Sequence, residues 1–199
     1  MEKKDLILEV KDTPRGPQIL VSRTHPDLVK RLFEAEVAEI QQGIVEIKAI
    51  AREAGSRTKM AVVSYDEGVD PIGACVGLNG VRVNAVVDEL GGEKIDIIHW
   101  SDNSAELIEN ALSPAKVICV LADDEEKEAL VIVPDFQLSL AIGRAGQNAR
   151  LSAKLTGYKI DIKSETEARE SGLFEEIGYI DDYSNDYSEE EAYVSEEEA

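Results

Sequence analysis

Two short motifs of the form G-x-x-G are the residues of this sequence best suited to hold a ligand. The first is Gly77-Leu78-Asn79-Gly80 and the second is Gly143-Arg144-Ala145-Gly146, and each falls between two predicted helices. A helix start presents unpaired backbone N–H groups and the positive end of the helix dipole, which together favour an anion. Because glycine has no Cβ, another backbone can approach closely. The motifs therefore predict phosphate-binding turns, although no Walker-type G-x-x-x-x-G-K-[ST] loop is present.

The two motifs differ in the charges that surround them. Residues 136–163 contain one acidic side chain, Asp161, and five basic ones, namely Arg144, Arg150, Lys154, Lys159 and Lys163. Near the first motif Arg82 is the only cation, so an anion there would depend on backbone amides. A tight turn between two helices is the alternative explanation of each motif, and it carries more weight for the first.

The sequence argues against an enzyme and against a metal centre. Three serines lack an evident histidine–carboxylate partner set, which a nucleophilic hydroxyl requires; they are Ser64, Ser101 and Ser139. His25 and His99 are too few for a histidine-rich site, and the cysteines lack zinc-ligand spacing. We expect no catalytic residue, no cofactor and no bound metal.

The sequence also argues against a membrane or secreted protein. No apolar run approaches the roughly 20 residues of a membrane span, and the polar start shows no signal-peptide pattern. Cys75 and Cys119 lie far apart in apolar runs, which predicts buried thiols rather than a disulfide. These features predict a cytoplasmic location.

The order of predicted elements divides the chain into four parts. Residues 1–24 predict a β-hairpin, which is marginally stable in water by itself and must pack on something or be the end of a larger domain. Residues 25–101 predict the order helix, strand, strand, helix, helix, strand, and residues 102–164 predict the same order again. In both units the G-x-x-G motif lies between the second and third helices. The fold class is therefore α+β, with one unit used twice.

A second motif supports the duplication. Residues 90–97 and residues 155–162 both read L-x-G-x-K-I-D-I, and both follow a G-x-x-G at nearly the same distance. A single G-x-x-G motif is weak evidence, whereas two such motifs followed by the same eight-residue pattern indicate an internal repeat. The predicted link between the units is about one residue long near Ser101, which predicts a rigid junction.

The acidic residues concentrate at the C-terminal end. The formal charge of the chain is −20, but residues 171–199 hold 11 acidic residues and no basic ones, which leaves −9 for the remainder. High like charge with few apolar residues is typical of disorder. We expect residues 165–199 to form a disordered acidic tail.

Two further groups of residues leave alternatives open. Lys48, Arg52, Arg57 and Lys59 either extend a basic surface from the first unit or are ordinary solvated charges. The His99-Trp100 pair is either a base-stacking platform or a linker packed between the units, and we favour the linker.

The loops and repeats together resemble the tandem KH region of the NusA family of bacterial transcription factors. The resemblance is carried by residues 71–83 and 89–97 in the first unit and by residues 140–157 in the second. Residues 13–24 resemble the end of the OB-fold that precedes this region in the family. The match covers roughly residues 10–165.

The resemblance implies a fold, a ligand and partners. The fold is two tandem bacterial-type (type II) KH domains, preceded by a β-hairpin remnant of an OB-fold. The ligand is single-stranded RNA bound across both units, either a nascent transcript or a ribosomal RNA leader. RNA polymerase is implied as a partner, mainly through parts missing from this sequence. The implied roles are transcriptional pausing, termination and antitermination, performed by a monomer.

The resemblance also assigns RNA binding to particular residues, which lie in the two loops and in the helices that follow them. In the first unit they are Gly77, Leu78, Asn79, Gly80 and Arg82, and in the second they are Gly143, Arg144, Ala145, Gly146, Gln147, Asn148, Arg150, Lys154 and Lys159. Bases are expected in apolar grooves beside the loops, lined by Ile72, Val76, Leu138 and Ile142.

The sequence departs from the family pattern in three ways. The polymerase-binding N-terminal domain and most of the OB-fold are missing, which predicts a fragment or a truncated product. The first loop carries Leu78-Asn79 where relatives often have a basic residue, which predicts a weaker grip on phosphate. The second loop carries Ala145 where a polar residue is common, which removes one base or sugar contact and leaves Arg144.

Two other functions remain open. One is a protein-interaction scaffold for RNA polymerase or other factors, with little affinity for RNA, which the net acidity and the first loop support. The other is a KH protein of ribosome assembly or translation, which the match to the transcription-factor family argues against.

Overall fold

A computed structural model describes residues 3–176, which form a β-hairpin followed by two α/β units. The hairpin pairs β1 (Leu6–Thr13) with β2 (Gly16–Ser22) in antiparallel fashion. Its apolar side chains are largely exposed on both strands, including Ile7, Val10 and Ile19. Arg23 joins the hairpin to the first unit, because its Nη2 donates to the backbone oxygen of Glu89 at 2.8 Å.

The first unit has the predicted element order. It consists of α1 (Pro26–Glu36), α2 (Ala38–Gln41), β3 (Val45–Glu53), β4 (Arg57–Ser64), α3 (Pro71–Val76), α4 (Val81–Glu89) and β5 (Lys94–His99). The sheet order is β3-β4-β5, with β3 antiparallel and β5 parallel to β4. The helices pack against one face of this sheet, where Phe33 of α1 and Val86 of α4 join Met60 of β4 in one buried core.

The second unit repeats this arrangement. It consists of α5 (Ser104–Ala111), β6 (Cys119–Asp123), β7 (Glu128–Val133), α6 (Leu138–Ile142), α7 (Gln147–Thr156) and β8 (Lys159–Ser164). The sheet order is β6-β7-β8, again with one antiparallel and one parallel pair. Its core includes Ile108, Val131 and Tyr158. The predicted helix–strand–strand–helix–helix–strand fold is confirmed for both units.

A third buried cluster joins the two units. Ala51, Ala61 and Ile98 of the first sheet pack against apolar residues of α5 and α7, which are Leu107, Ala111, Leu151 and Leu155. Small side chains on the sheet let α7 approach closely. The link between the units spans residues 100–103, which is longer than the single residue expected. The junction therefore rests on buried side chains rather than on a short link.

Several element boundaries differ from those that the sequence predicts. The apolar spacing from Leu28 to Ile40 predicts one helix that ends at Gly43, but the helix is interrupted at Val37, whose backbone is extended and whose side chain is buried. The sequence offers Thr24 or Asp27 as the cap of α1, since both types are preferred there. The cap is instead His25, whose Nδ1 accepts from the backbone N–H of Asp27 at 3.1 Å. The polar and basic composition of residues 51–59 predicts a link between two strands, but these residues mostly extend β3 and β4.

The start of the expected tail is also ordered, which corrects the prediction for that part. α8 (Glu165–Glu170) and α9 (Leu173–Glu176) follow β8 directly. Ser164 caps α8 in a reciprocal capping box with Glu167, and Ala168 is fully buried. The remainder of the predicted tail, residues 177–199, lies outside the described residues.

Candidate nucleic-acid interface

The two G-x-x-G loops share one backbone conformation. Gly77 and Gly143 have φ of 73° and 76°, and Gly80 and Gly146 have φ of 74° and 73°. Between them Asn79 and Ala145 both lie in the left-handed region at φ 52°. A non-glycine residue in that region is uncommon. Its presence at the same place in both loops indicates that the fold imposes this conformation.

Neither loop supplies a side-chain cap to the helix that follows it. Gly80 precedes α4 and Gly146 precedes α7, and in neither case does a side chain accept from the first-turn N–H groups. By contrast, α1, α3, α5 and α8 each have a side-chain cap. Helix starts without a side-chain cap keep donors for an external anion.

The first glycine of each loop is required by close packing. A Cβ on Gly143 would lie 2.7 Å from the Cβ of Asn148 and 2.8 Å from its backbone nitrogen. A Cβ on Gly77 would lie 2.8 Å from the Cγ of Arg82. The Gly77 contact involves side-chain atoms alone, whereas the Gly143 contact also involves backbone atoms, so the loop of the second unit is the more tightly constrained.

Arg82 and Asn148 occupy equivalent positions, five residues after the first glycine of each loop. Arg82 Nη1 donates to the backbone oxygen of Ala74 at 2.6 Å and to Glu39 Oε2 at 2.9 Å. The Asn148 Nδ2 donates to the backbone oxygens of Leu112 and Ala141, both at 3.0 Å, and the residue is only 5% exposed. Both side chains brace the loop from beneath. Direct RNA contact by either stays a prediction, and the buried position of Asn148 argues against it.

Gln147 and Arg150 face the first unit. Gln147 Nε2 donates to Glu53 Oε2 and to Ser56 Oγ, both at 2.8 Å. Arg150 Nε donates to Glu53 Oε1 at 2.5 Å, and Arg150 Nη1 donates to the backbone oxygen of Ala145 at 3.1 Å. The hydrogen bonds from Arg150 and Gln147 lower the pKa of Glu53 to about 2. Glu53 and Ser56 were not among the predicted site residues.

The remaining predicted residues divide into an exposed group and a distant one. Leu78, Asn79, Arg144, Ala145 and Lys154 are exposed, and Leu78 is 83% exposed. Lys154 lies on the same helical face as Gln147 and Arg150. Lys159 lies beyond the far end of α7, about 15 Å along the helix from the loop. It pairs there with Glu128 at 2.9 Å, so the structure does not bring it to the loop.

The cations considered for a basic surface on the first unit do not form it, and Arg52 and Lys59 are not solvated charges either, because both side chains are buried. Arg52 and Glu93 form a buried ion pair at 2.8 Å, and Arg57 pairs with Asp96 at 2.7 Å. Lys59 is fully buried and donates to the backbone oxygen of Ser113 at 2.8 Å, across the junction of the units. Burial lowers the pKa of Lys59. These cations stabilise the structure and are not arranged along an exposed groove.

Trp100 has the packed position that we favoured over a stacking platform. Its ring contacts the cluster between the units, and its Nε1 donates to Asp102 Oδ1 at 3.0 Å. The apolar residues expected beside the loops are divided: Ile72 and Leu138 pack against the two cores, whereas Ile142 remains exposed. An apolar surface is therefore available beside the second loop.

Residues 3–176 show no arrangement suited to a metal or to a reactive thiol. No group of three or more His, Cys, Asp or Glu side chains among them could hold a metal ion. Burial raises the pKa of Cys75 to about 12, so its thiol stays protonated at neutral pH. Within the same residues, every helix is too short or too polar to cross a lipid bilayer.

Family models match both units. The NusA-like first KH domain matches residues 23–100, and the NusA-like second KH domain matches residues 104–170. A solved structure, the crystal structure of APE1850, aligns with a TM-score of 0.50 and 20% identity, covering 69% of this chain and 97% of the other. At that identity the alignment supports the fold alone.

Curated relatives match most of this chain. The transcription termination/antitermination protein NusA of Bacillus subtilis is 62% identical over 171 residues, which is 86% of this chain and 46% of the relative. NusA of Thermus thermophilus is 48% identical over 98% of this chain and 48% of the relative. NusA of Mycobacterium tuberculosis is 57% identical over 76% of this chain and 44% of the relative. The chain thus spans about half the length of these relatives.

Proposed function

We propose that this chain binds single-stranded RNA in the control of transcription. The chain belongs to the NusA family and corresponds to its tandem KH region. The family is not one of enzymes. The NusA relatives are named transcription termination/antitermination proteins. We extend that role to this chain, with a nascent transcript or a ribosomal RNA leader as ligand. RNA polymerase is the proposed protein partner, mainly through parts of the family's length outside this chain.

The second loop carries the proposal. It combines a glycine-capped helix start with the exposed guanidinium of Arg144 and the exposed amine of Lys154 on the following helix. Backbone N–H groups and an arginine fork are the donors that suit a phosphate diester. KH loops clamp about four nucleotides of backbone in this way. We therefore assign the dominant phosphate contact to residues 143–146.

The first loop contributes a weaker contact. Its backbone matches that of the second loop, but Leu78 occupies the place of Arg144, and Arg82 is paired with Glu39. Contact there would rest on backbone amides and on apolar packing of a base against Leu78 and Val81. Because the units are packed together, the two footprints add by effective concentration. The pair then reads a longer RNA than either unit alone.

A salt series of binding measurements tests this proposal. Fluorescence anisotropy would follow labelled single-stranded RNA, with DNA of the same sequence as control. The test variant carries Arg144→Asp and Ala145→Asp, and aspartate is tolerated in the left-handed conformation of Ala145. The matched control is Arg31→Asp, a charge reversal on the exposed face of α1. We expect salt-sensitive binding that prefers RNA, falls at least tenfold in the test variant and persists in the control.

The same measurement distinguishes the scaffold function. The acidic and apolar surface beside the first loop, with Glu39, Asp70, Leu78 and Val81, is the observation that favours a protein partner. Absence of binding at low salt, or binding that ignores the loop variant, would contradict RNA recognition by the second loop. Protein partners would then be sought with the first-loop surface as bait.

A further inference from the structure

The tip of the β3–β4 hairpin in the first unit lies against the helix that follows the second loop. We propose that Glu53, at this tip, is a positioning residue for the second phosphate-binding loop. Through it, the first unit sets the RNA affinity of the second. The inference rests on the proposed RNA-binding function, and it adds a residue that neither the motif nor the loop itself contains.

The contacts of Glu53 are specific to its two carboxylate oxygens. Oε1 accepts from Arg150 Nε at 2.5 Å, and Oε2 accepts from Gln147 Nε2 at 2.8 Å. Ser56, in the same hairpin turn, accepts a further bond from Gln147. Residues of one unit thus hold the first and fourth residues of α7, directly after Gly146. A charge-assisted pair of this kind fixes geometry as well as adding energy.

Arg150 transmits this contact to the loop. While its Nε is held by Glu53, its Nη1 donates to the backbone oxygen of Ala145, which lies between the two glycines. That carbonyl would otherwise be free to turn toward a bound phosphate and repel it. The bond also supports the left-handed backbone of Ala145. Glu53 therefore orients a guanidinium that in turn orients the loop.

Glu53 is better suited to hold Arg150 than to compete with RNA for it. Its side chain is 23% exposed, whereas that of Arg150 is 47% exposed, so the guanidinium keeps a face toward solvent while paired. A phosphate that displaced Glu53 would leave a half-buried carboxylate without its strongest partner, which is costly. Because Arg150 and Gln147 hold the pKa of Glu53 far below neutrality, the carboxylate stays charged.

Among residues 3–176, the first loop has no counterpart of this contact. By strand register Asp123 is the equivalent of Glu53, since each ends the first strand of its sheet. Asp123 instead closes its own turn, because its Oδ1 accepts from the backbone N–H groups of Glu125 and Glu126. The support therefore runs in one direction, from the first unit to the second loop.

Affinity measurements on the intact chain test the role of Glu53. The variants are Glu53→Ala, which removes the carboxylate, and Glu53→Gln, which keeps an acceptor for one of the two donors. Glu34→Ala is the matched control, because it removes a carboxylate paired with Arg31 on the surface of α1. We expect single-stranded RNA to bind about fivefold more weakly to Glu53→Ala, at the low end of coupling between two sites. The RNA affinity of Glu53→Gln should lie between those of Glu53→Ala and the parent chain, and the affinity of Glu34→Ala should equal that of the parent.

A double-mutant cycle separates positioning from a general structural effect. If Glu53 acts through Arg150, the affinity loss of Glu53→Ala combined with Arg150→Ala is smaller than the product of the single losses. The backbone amide signals of Gly146 and Ala145 in nuclear magnetic resonance spectra should shift in Glu53→Ala without RNA, while those of Gly80 stay in place. Tighter RNA binding by Glu53→Ala would overturn positioning and show competition, and unchanged binding would overturn it as well.

The outcomes separate this inference from the proposed function. Failure of the parent chain to bind RNA contradicts both. Binding by the parent that is lost with Arg144→Asp and Ala145→Asp but unaltered in Glu53→Ala contradicts the role of Glu53 alone.

Discussion

The two G-x-x-G loops have nearly the same backbone and different chemistry. Their φ angles agree within a few degrees at both glycines and at the residue before the second glycine. Each loop is braced from beneath by the residue five places after its first glycine. Outward, the second loop and its helix present Arg144, Arg150 and Lys154, whereas the equivalent places in the first carry Leu78, Asn84 and Asp88. The two units thus share the backbone turn of residues 77–80 and 143–146, which we call the cradle, but they do not share the charges around it.

The difference indicates which part of a KH loop does which task. The cradle is set by glycines and by a brace beneath the loop, which is buried Asn148 in the second unit and half-buried Arg82 in the first. It can therefore be retained when the ligand contacts change. The affinity for a polyanion depends on cations at exposed positions, which substitutions alter without cost to the fold. One loop is therefore suited to hold phosphate, and the other is suited to weaker or more apolar contact.

The largest expected effect is a loss of stability when the first glycine of a loop is replaced by alanine, and this loss should be greater in the second loop than in the first. Gly143→Ala forces a Cβ against the backbone of Asn148 at φ 76°, and we expect it to lower the free energy of unfolding by about 3 kcal/mol. Gly77→Ala meets side-chain atoms of Arg82 and no backbone atoms, so it should cost about half as much. Urea unfolding followed by circular dichroism measures both. Equal losses would contradict the tighter packing of the second loop.

A smaller effect is expected from giving the first loop the missing charge. Leu78→Arg places a guanidinium at the equivalent of Arg144, on an exposed site where no packing is lost. RNA affinity should rise about fivefold, and the salt dependence should steepen by about 0.7 in log–log slope, as for one additional phosphate contact. Leu78→Gln is the control for the change of shape. A rise that the glutamine variant reproduces would show that charge is not what the first loop lacks.

Much of the fold could be predicted from the sequence, because it repeats. The two G-x-x-G motifs and the two L-x-G-x-K-I-D-I segments indicate that one element order is used twice. Each predicted strand and helix of the two units has a counterpart in the structure. The break at Val37 was not predictable, since its apolar side chain continues the helical pattern and only tertiary packing sets its backbone. The capped start of α8 was overlooked in an acidic segment, although Ser164 and Glu167 form a capping box.

The candidate site could be predicted in part. The loops and the exposed Arg144 follow from the motif, but the roles of charged residues in the first unit do not. Arg52 and Lys59 are buried and paired with Glu93 and Asp96. Because these partners lie about 40 residues away in the sequence, local spacing does not reveal the pairs. Glu53 contacts residues 94 and 97 places later, across the junction of the units. A glutamate at a hairpin end is ordinarily solvated, so no local signal marks it.

The most direct test follows the two loops in one RNA titration. Backbone amide signals of Gly80 and Val81 report on the first loop, and those of Gly146 and Gln147 report on the second, in nuclear magnetic resonance spectra of the parent chain. Single-stranded RNA should shift the signals of Gly146 and Gln147 at lower concentration than those of Gly80 and Val81. Shifts that appear first at Gly80 and Val81, or at neither loop, would contradict the assignment of the dominant phosphate contact to the second loop.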